Sequence, residues 1–160
     1  MTESHAREPD ARKSHYRRLL VMTVMSFMAM YVLMYAMVDR FANVYMNFNQ
    51  VYMAGLMTAA MVVIELAVMR GMYSDRRWNS LIAAGSFVAV IGLYLLIRSQ
   101  AAIGDQQFVS SMIPHHAGAI LMCERAPIRD SEIKELCKAI VSSQQSEIDW
   151  MTAKLRQLEK

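Results

Sequence analysis

The segment of this sequence with the clearest chemical potential places two adjacent histidines between two methionines. Steps of three, four and three put four residues on one stripe of a helix, namely Met112, His115, Ala119 and Met122. His116 lies beside that stripe. Thioether sulfur is a soft, neutral ligand and imidazole is intermediate, so together they suit Cu(I) and Ag(I) better than Mg²⁺ or Ca²⁺. The spacing therefore predicts a site for a soft monovalent metal ion.

Two helices are expected to carry this site. The first is predicted from about Asp105 to Arg125, and apolar residues at steps of mainly three and four predict a second over residues 131–158. Met151 on the second helix is a further candidate ligand, although core packing is the stronger interpretation for it alone. Glu147, one turn earlier, is a candidate hydrogen-bond partner for a ligand imidazole. The alternative for the whole set is a packed core with hydrogen-bonded histidines.

Two cysteines flank the turn between these helices. Cys123 closes the first helix and Cys137 lies well inside the second. In an oxidising compartment we expect a disulfide between them, and closing a loop of this size is worth about 3 kcal/mol in the chain-entropy model. The rival interpretation makes both cysteines soft metal ligands.

Three apolar runs precede this region and are long enough to span a membrane. Residues 19–38 and 81–97 are uncharged, and residues 51–69 carry only Glu65. Lys and Arg number five before the first run, one in the first loop and three in the second loop. The positive-inside rule then predicts a bacterial inner-membrane protein with a cytoplasmic N-terminus and a periplasmic C-terminal domain. The predicted domains are a basic cytoplasmic segment over 1–18, a three-helix transmembrane domain over 19–98 and an extracytoplasmic helical hairpin over 99–160.

Methionine is unusually frequent, with 16 of 160 residues, and twelve of the sixteen lie between Met22 and Met72. Methionine is an adaptable apolar residue, so packing explains most of them. A subset in the predicted outer half of the membrane domain faces the compartment of the C-terminal hairpin. These residues are weaker candidates for holding or passing a soft cation: Met30, Met34, Met37, Met46, Met53 and Met57.

Charge and motif content disfavour other function classes. Residues 98–160 carry eight basic and eight acidic side chains, so the net charge of +3 does not indicate a nucleic-acid-binding surface. The sequence has no Glu-x-x-His pair of the di-iron type, no His-Glu-x-x-His zinc motif, no P-loop and no Gly-x-Ser-x-Gly. An enzyme is therefore not expected.

The run Met112-Ile-Pro-His-His-Ala-Gly-Ala-Ile-Leu-Met122, followed by Ser143-Gln-Gln-Ser-Glu-Ile-Asp-Trp-Met151, closely resembles the domain-of-unknown-function 305 family. The resemblance is strong over residues 105–158, and residues 15–73 look like the family's membrane-anchored branch. It implies an all-α, ferritin-like fold and methionine-rich copper binding. The positions that match the family's implicated Cu(I) or Ag(I) ligands are Met112, His115, His116, Met122 and Met151.

Soluble members of that family can carry two helical hairpins in one chain. This chain has one, so the resemblance favours a homo-oligomer that completes a four-helix bundle. The resulting hypothesis is a membrane-anchored protein that binds Cu(I), with Ag(I) as a surrogate, in copper homeostasis, tolerance or delivery. Its expected partners are soft metal ions, membrane lipid and further copies of itself. The alternatives are a structural or assembly subunit without metal, and an oligomeric metal-conducting channel.

Overall fold

The computed structural model describes residues 7–158, with side chains from Ser14 onward. The first six residues of the predicted N-terminal segment lie outside this range. The described part of the chain is all-helical and contains no strand. Its five α-helices are α1 (Arg7–Leu33), α2 (Phe48–Val68), α3 (Arg76–Ser99), α4 (Asp105–Arg125) and α5 (Ser131–Leu158). Two short 3-10 turns, Met34–Met37 and Phe41–Asn43, lie between α1 and α2.

Three segments of the described chain are long and apolar enough to cross a membrane. They are Ser14–Met37, Phe48–Val68 and Arg76–Ser99. These segments contain nearly all residues of the three apolar runs that the sequence predicted as membrane spans. Asp75 begins the third helix by accepting hydrogen bonds from the backbone N–H groups of Arg77 and Trp78 at 3.0 and 3.2 Å. Gln100 ends it in the left-handed conformation (φ 50°), with its N–H bonded to carbonyls of the last turn.

The chain divides into two compact units, which are described separately. The first, called here the apolar unit, comprises the described residues up to Val32 together with residues 51–101. The second, the paired-helix unit, comprises residues 33–50 and the described residues from 102 onward. The sequence did not predict this grouping, because it assigned the segment around residues 33–50 to the membrane domain.

A polar network ties α1, α3 and the α2–α3 loop together at one end of the apolar unit. The Tyr16 ring packs against the Tyr73 ring with centroids 5.5 Å apart, and its hydroxyl donates to Asn79 Oδ1 at 2.7 Å. Asn79 Nδ2 in turn donates to the Tyr73 carbonyl at 2.7 Å. The Tyr73 hydroxyl donates to Glu65 Oε1 at 3.2 Å, which gives this carboxylate a hydrogen-bond partner. Burial, followed by that hydrogen bond, raises the pKa of Tyr73 above its ordinary value.

The paired-helix unit is built on α4 and α5, which lie side by side in opposite directions. His116 contacts Glu147, whereas Cys123, further along α4, is bonded to Cys137, which comes earlier in α5. The two helices are therefore antiparallel. Between the helices lies a core of mostly aliphatic side chains, with one methionine: Val109, Ile113, Ala117, Ile120, Ile148, Met151 and Leu155.

The start of α5 shows how local sequence sets its boundary. Asp130 Oδ1 accepts hydrogen bonds from the backbone N–H groups of Glu132 and Ile133 at 2.9 and 3.0 Å. The first turn of the helix is thereby satisfied by a carboxylate, which the helix dipole also favours. The helix then runs to Leu158 within the described residues. This placement fixes which α5 side chains meet α4.

Candidate functional site

Pro114 is the tenth residue of α4, and the helix continues through it. Proline has no N–H, so it cannot donate to the carbonyl of Ser110 one turn earlier. The adjacent residues His115 and His116 therefore follow a locally weakened turn of the helix. Pro114 and Ser110 are both buried, which places this turn against other parts of the paired-helix unit.

The two adjacent histidines point to different sides of α4. Neighbouring residues on a helix are about 100° apart. His116 is only 8 % exposed and faces α5, while His115 is exposed. Their ring centroids are 6.0 Å apart, in an edge-to-face arrangement. The structure thus places one imidazole at the helix–helix contact and the other at the surface beside it.

Both ring nitrogens of His116 are hydrogen-bonded. Nδ1 lies 2.9 Å from the carbonyl oxygen of Met112, and Nε2 lies 2.7 Å from Glu147 Oε2. A carbonyl oxygen only accepts, so Nδ1 carries the proton of the first bond. Fixing Nδ1–H on a backbone carbonyl is the usual way to leave Nε2 as the coordinating atom of a metal-bound histidine. Here Glu147 occupies Nε2, so that hydrogen bond has to open before Nε2 can bind a metal ion.

The candidate methionines of the two helices differ in accessibility. Met112 is partly buried and packs against the core, whereas Met122 is 54 % exposed. Met151 is 6 % exposed and is part of the core itself. The predicted stripe therefore runs from Met112 at the edge of the core to the exposed His115 and Met122, with Met151 on the inside of the pair. Among residues 7–158, no group of three or more His, Cys, Asp and Glu side chains is arranged to hold a metal ion.

The first loop brings two of the weaker methionine candidates to α4. The 3-10 turn Met34–Met37 packs on α4, and a Cβ added to Gly118 would lie 3.4 Å from the Met37 carbonyl oxygen. Glycine at position 118 allows this close approach of backbone to helix. The loop is also tied to α4 where the Phe48 N–H donates to Gln107 Oε1 at 2.9 Å. Sequence periodicity gave no signal for this docking, because it describes one helix at a time.

The remaining weaker candidates are distributed between the two units. Met46 is exposed in the first loop, whereas Met30, Met53 and Met57 belong to the apolar unit. The Thr58 hydroxyl donates to Met30 Sδ at 3.6 Å, so this thioether has a role in helix packing. Met53 and Met57 are both partly exposed on α2. Within the apolar unit, the structure shows hydrogen bonding for Met30 and surface positions for the other two.

The two cysteines form a disulfide between α4 and α5. The Cα atoms of Cys123 and Cys137 are 5.2 Å apart, which is within the usual range for such a bond. It closes the end of the helix pair next to the turn. At the same end, the N–H of Ala126 bonds to the Met122 carbonyl at 3.0 Å.

A family model for a domain of unknown function, DUF305, matches residues 44–155 of this chain. The chain belongs to the DUF305 family. The match runs from the first loop through α2 and α3 into α5, so DUF305 covers both units and not only the helix pair. The chain is also 32 % identical over 138 residues to the uncharacterized protein L153 of Acanthamoeba polyphaga mimivirus, covering 84 % of this chain and 89 % of that protein. No solved structure matches the chain at a significant level.

The Glu147–His116 contact predicts a stability effect that is independent of any metal. Glu147→Ala leaves Nε2 of a nearly buried imidazole without its partner, and we expect a loss of about 1–3 kcal/mol in unfolding free energy. Denaturant unfolding of the full chain in detergent, followed by hydrogen exchange in α4 and α5, measures the loss. Glu135→Ala is the matched control, because Glu135 pairs with Lys138 and both of these side chains are 75 % exposed. For this variant we expect a loss of about 0–1 kcal/mol in unfolding free energy. Equal effects of the two substitutions would contradict a structural role for the His116 contact.

Proposed function

We propose that this protein binds Cu(I), with Ag(I) as a surrogate, through methionine sulfur and histidine nitrogen on the paired helices. The observation that carries the proposal is the arrangement at the middle of α4. An exposed His115 stands next to His116, whose Nδ1 is held by the Met112 carbonyl so that Nε2 is the nitrogen left for coordination. The proposed ligands are Met112, His115, His116 and Met122, with Met151 in a packing role.

The chemistry of this set favours a soft monovalent cation. Thioethers bind Cu(I) and Ag(I) without releasing a proton, and they are poor ligands for Mg²⁺ and Ca²⁺. The Glu147 side chain is 52 % exposed, so it has room to rotate away from Nε2 when a metal ion enters. The metal is cargo in this proposal: it is held and passed on, and no bond of a substrate is made or broken.

We further propose that a second copy completes the site. A pair of helices of this size has little core of its own. Exposed apolar patches on such a surface mark sites of interaction with other molecules. Several large apolar side chains are exposed along the paired helices: Phe108, Met122, Ile133, Leu136 and Trp150. A second helix pair covering them would form a four-helix bundle and bring a second set of ligands to the metal.

We also propose a location for the site. The distribution of Lys and Arg among the loops supports a cytoplasmic N-terminus, and we propose that the protein lies in a bacterial inner membrane with its paired helices in the periplasm. Copper held there would be available for tolerance or for delivery to another protein. Membrane lipid surrounds the three apolar helices in this arrangement.

The test removes both imidazoles. We expect the double variant His115→Ala with His116→Ala to lose at least about tenfold in Cu(I) affinity, about 1.4 kcal/mol, in competition with a chromophoric Cu(I) chelator. Native mass spectrometry of the detergent-solubilised chain reads the number of metal ions and the number of copies in the same experiment. His15→Ala, which changes a histidine of the apolar unit, is the matched control and should bind as the unmodified chain does. Unchanged affinity in the double variant would overturn the proposal.

A structural role is the second candidate, and one observation favours it. Both nitrogens of His116 already have protein partners and Met151 is part of the core, as expected of a helix pair that packs without metal. In that case the chain would be a structural or assembly subunit, and it would bind neither Cu(I) nor Ag(I) more tightly than the double variant His115→Ala with His116→Ala does.

A further inference from the structure

The disulfide end of the helix pair forms an open groove of its own. Cys123 and Cys137 are both half-buried there, so small molecules can reach their sulfur atoms. The groove has a volume of about 530 Å³. Apolar side chains of the turn and of α5 share it with the cysteines, together with two lysines: Ala126, Ile128, Val141, Lys134 and Lys138.

We propose that Cys123 and Cys137, once reduced, form a second Cu(I) site whose availability is controlled by the disulfide. Thiolates are the softest ligands that a protein offers and they select Cu(I). The two Cα atoms are 5.2 Å apart on two paired helices, so the helix pairing holds both sulfur atoms close enough to share a single ion. The site is therefore built by the same helix pairing that brings the sulfurs within bonding distance.

Charge in the groove fits this ligand. A Cu(I) ion with two thiolates carries a net charge of −1, and Lys134 in the lining of the groove can offset it, whereas the Lys138 ammonium is paired with Glu135 at 2.9 Å. Ala126, Ile128 and Val141 provide an apolar wall that shields the sulfurs on one side. A bare disulfide used only as a covalent link would need neither feature.

The chemistry balances with an external thiol reductant. Two thiol groups of the reductant transfer two electrons: the Cys123–Cys137 S–S bond breaks, two protein thiols form, and the reductant becomes a disulfide. Cu(I) then displaces two protons and binds both sulfurs, and its own oxidation state does not change. A disulfide of the external thiol reverses the exchange: it takes two electrons from the two cysteine sulfurs and two protons from solvent and becomes two thiols, while the Cys123–Cys137 S–S bond re-forms and Cu(I) is released. Occupancy of this site thus follows the thiol–disulfide state of the compartment.

The thiolate ligands of this site are distinct from the imidazoles, although Cys123 directly follows Met122, a ligand proposed for the histidine site. Cys123 follows His116 by seven residues on α4, about 10 Å along the helix. The ligands of the cysteine site are thiolates, so Cu(I) binding there does not depend on the imidazoles. The inference rests on the proposed function only in the choice of metal.

The test compares oxidised and reduced full-length protein in detergent. A phosphine reductant opens the disulfide, and Cu(I) is then titrated against a chromophoric chelator. We expect the reduced chain to retain a further Cu(I) ion per chain compared with the oxidised chain, accompanied by thiolate-to-Cu(I) charge-transfer absorption in the ultraviolet. Alkylation of the thiols after reduction should abolish both signals, and it does so without any substitution that could impair folding.

Three variants separate the possible outcomes. Cys123→Ser with Cys137→Ser should show no gain on reduction, while His115→Ala with His116→Ala should keep the whole gain. Lys134→Gln with Lys138→Gln should weaken the additional binding several-fold at low salt. If reduction adds no Cu(I) binding, or if the gain persists after alkylation, the dithiolate site is overturned. The two tests are independent. The histidine site can fail its test while the dithiolate site passes, and the dithiolate site can fail while the histidine site passes.

Discussion

Replacing Ile113 by alanine is expected to destabilise the paired helices strongly. Ile113 is fully buried (0 % exposed) at the centre of the α4–α5 core. Truncation removes its buried methyl and methylene groups and leaves a cavity between two helices that are already held by a small core. Such substitutions cost roughly 2–5 kcal/mol. Ile113 lies two residues before His115. The variant therefore also tests whether the histidines need tight packing of α4 against α5.

The measurement uses the full chain in detergent, with denaturant unfolding followed by hydrogen exchange in α4 and α5. Ile133→Ala is the matched control, since it is the same substitution at an α5 position that is 49 % exposed. For Ile133→Ala we expect a loss of about 0.5 kcal/mol or less in unfolding free energy, because truncations at exposed helix positions have small effects. If the two variants lose equal stability, Ile113 is not at the centre of the core and the packing described for α4 and α5 is wrong.

The helices themselves were predictable because their signals are local. The apolar runs predicted three long helices, and the spacing of Ile133, Leu136 and Ile140 predicted the helix at 131–158, which the structure has as Ser131–Leu158. The helix bounds differ from the bounds of the apolar runs, most of all at the start of α1, which begins at Arg7, well before the run at Leu19. Arg and Glu are good helix formers, so the polar segment continues the helix upstream of the run.

The site was only partly predictable because its contacts are long-range. The pattern placed His115 and His116 side by side, but periodicity alone could not determine which of them faces α5. Glu147 was predicted as a partner for an imidazole, and the structure has it on His116 Nε2. That geometry makes the carboxylate a competitor for the coordinating nitrogen, which no spacing rule would reveal.

The docking of the first loop on α4 had no sequence signal at all. Gly118 was the nearest hint, because a glycine inside a helix often permits a close backbone approach. In the structure that approach is made by Met37, from a turn 81 residues earlier in the sequence. Candidate ligands at Met34 and Met37 thus belong to the same unit as the histidines, whereas Met53 and Met57 do not.

Opening the Cys123–Cys137 disulfide is expected to loosen the turn end of the helix pair by about 3 kcal/mol, the chain-entropy value for a loop of this length. The two cysteines are 14 residues apart, and the core residues lie mainly on the other side of them, away from the turn. Without the bond, fewer apolar contacts resist separation at this end. Hydrogen exchange should therefore rise on reduction at the end of α4 and the start of α5, and less around Ile113 and Ile148.

The control for this prediction is the variant Cys123→Ser with Cys137→Ser, which should exchange rapidly with or without reductant. Unchanged exchange on reduction of the unmodified chain would show that packing alone closes the turn. Addition of Cu(I) extends the argument: an ion bound by both thiolates closes the same loop that the disulfide closed. Exchange in the reduced chain should then fall back towards the oxidised level, while the serine variant stays fast. Protection that follows the metal would connect the redox state of this bond to the folding of the helices that carry the histidine site.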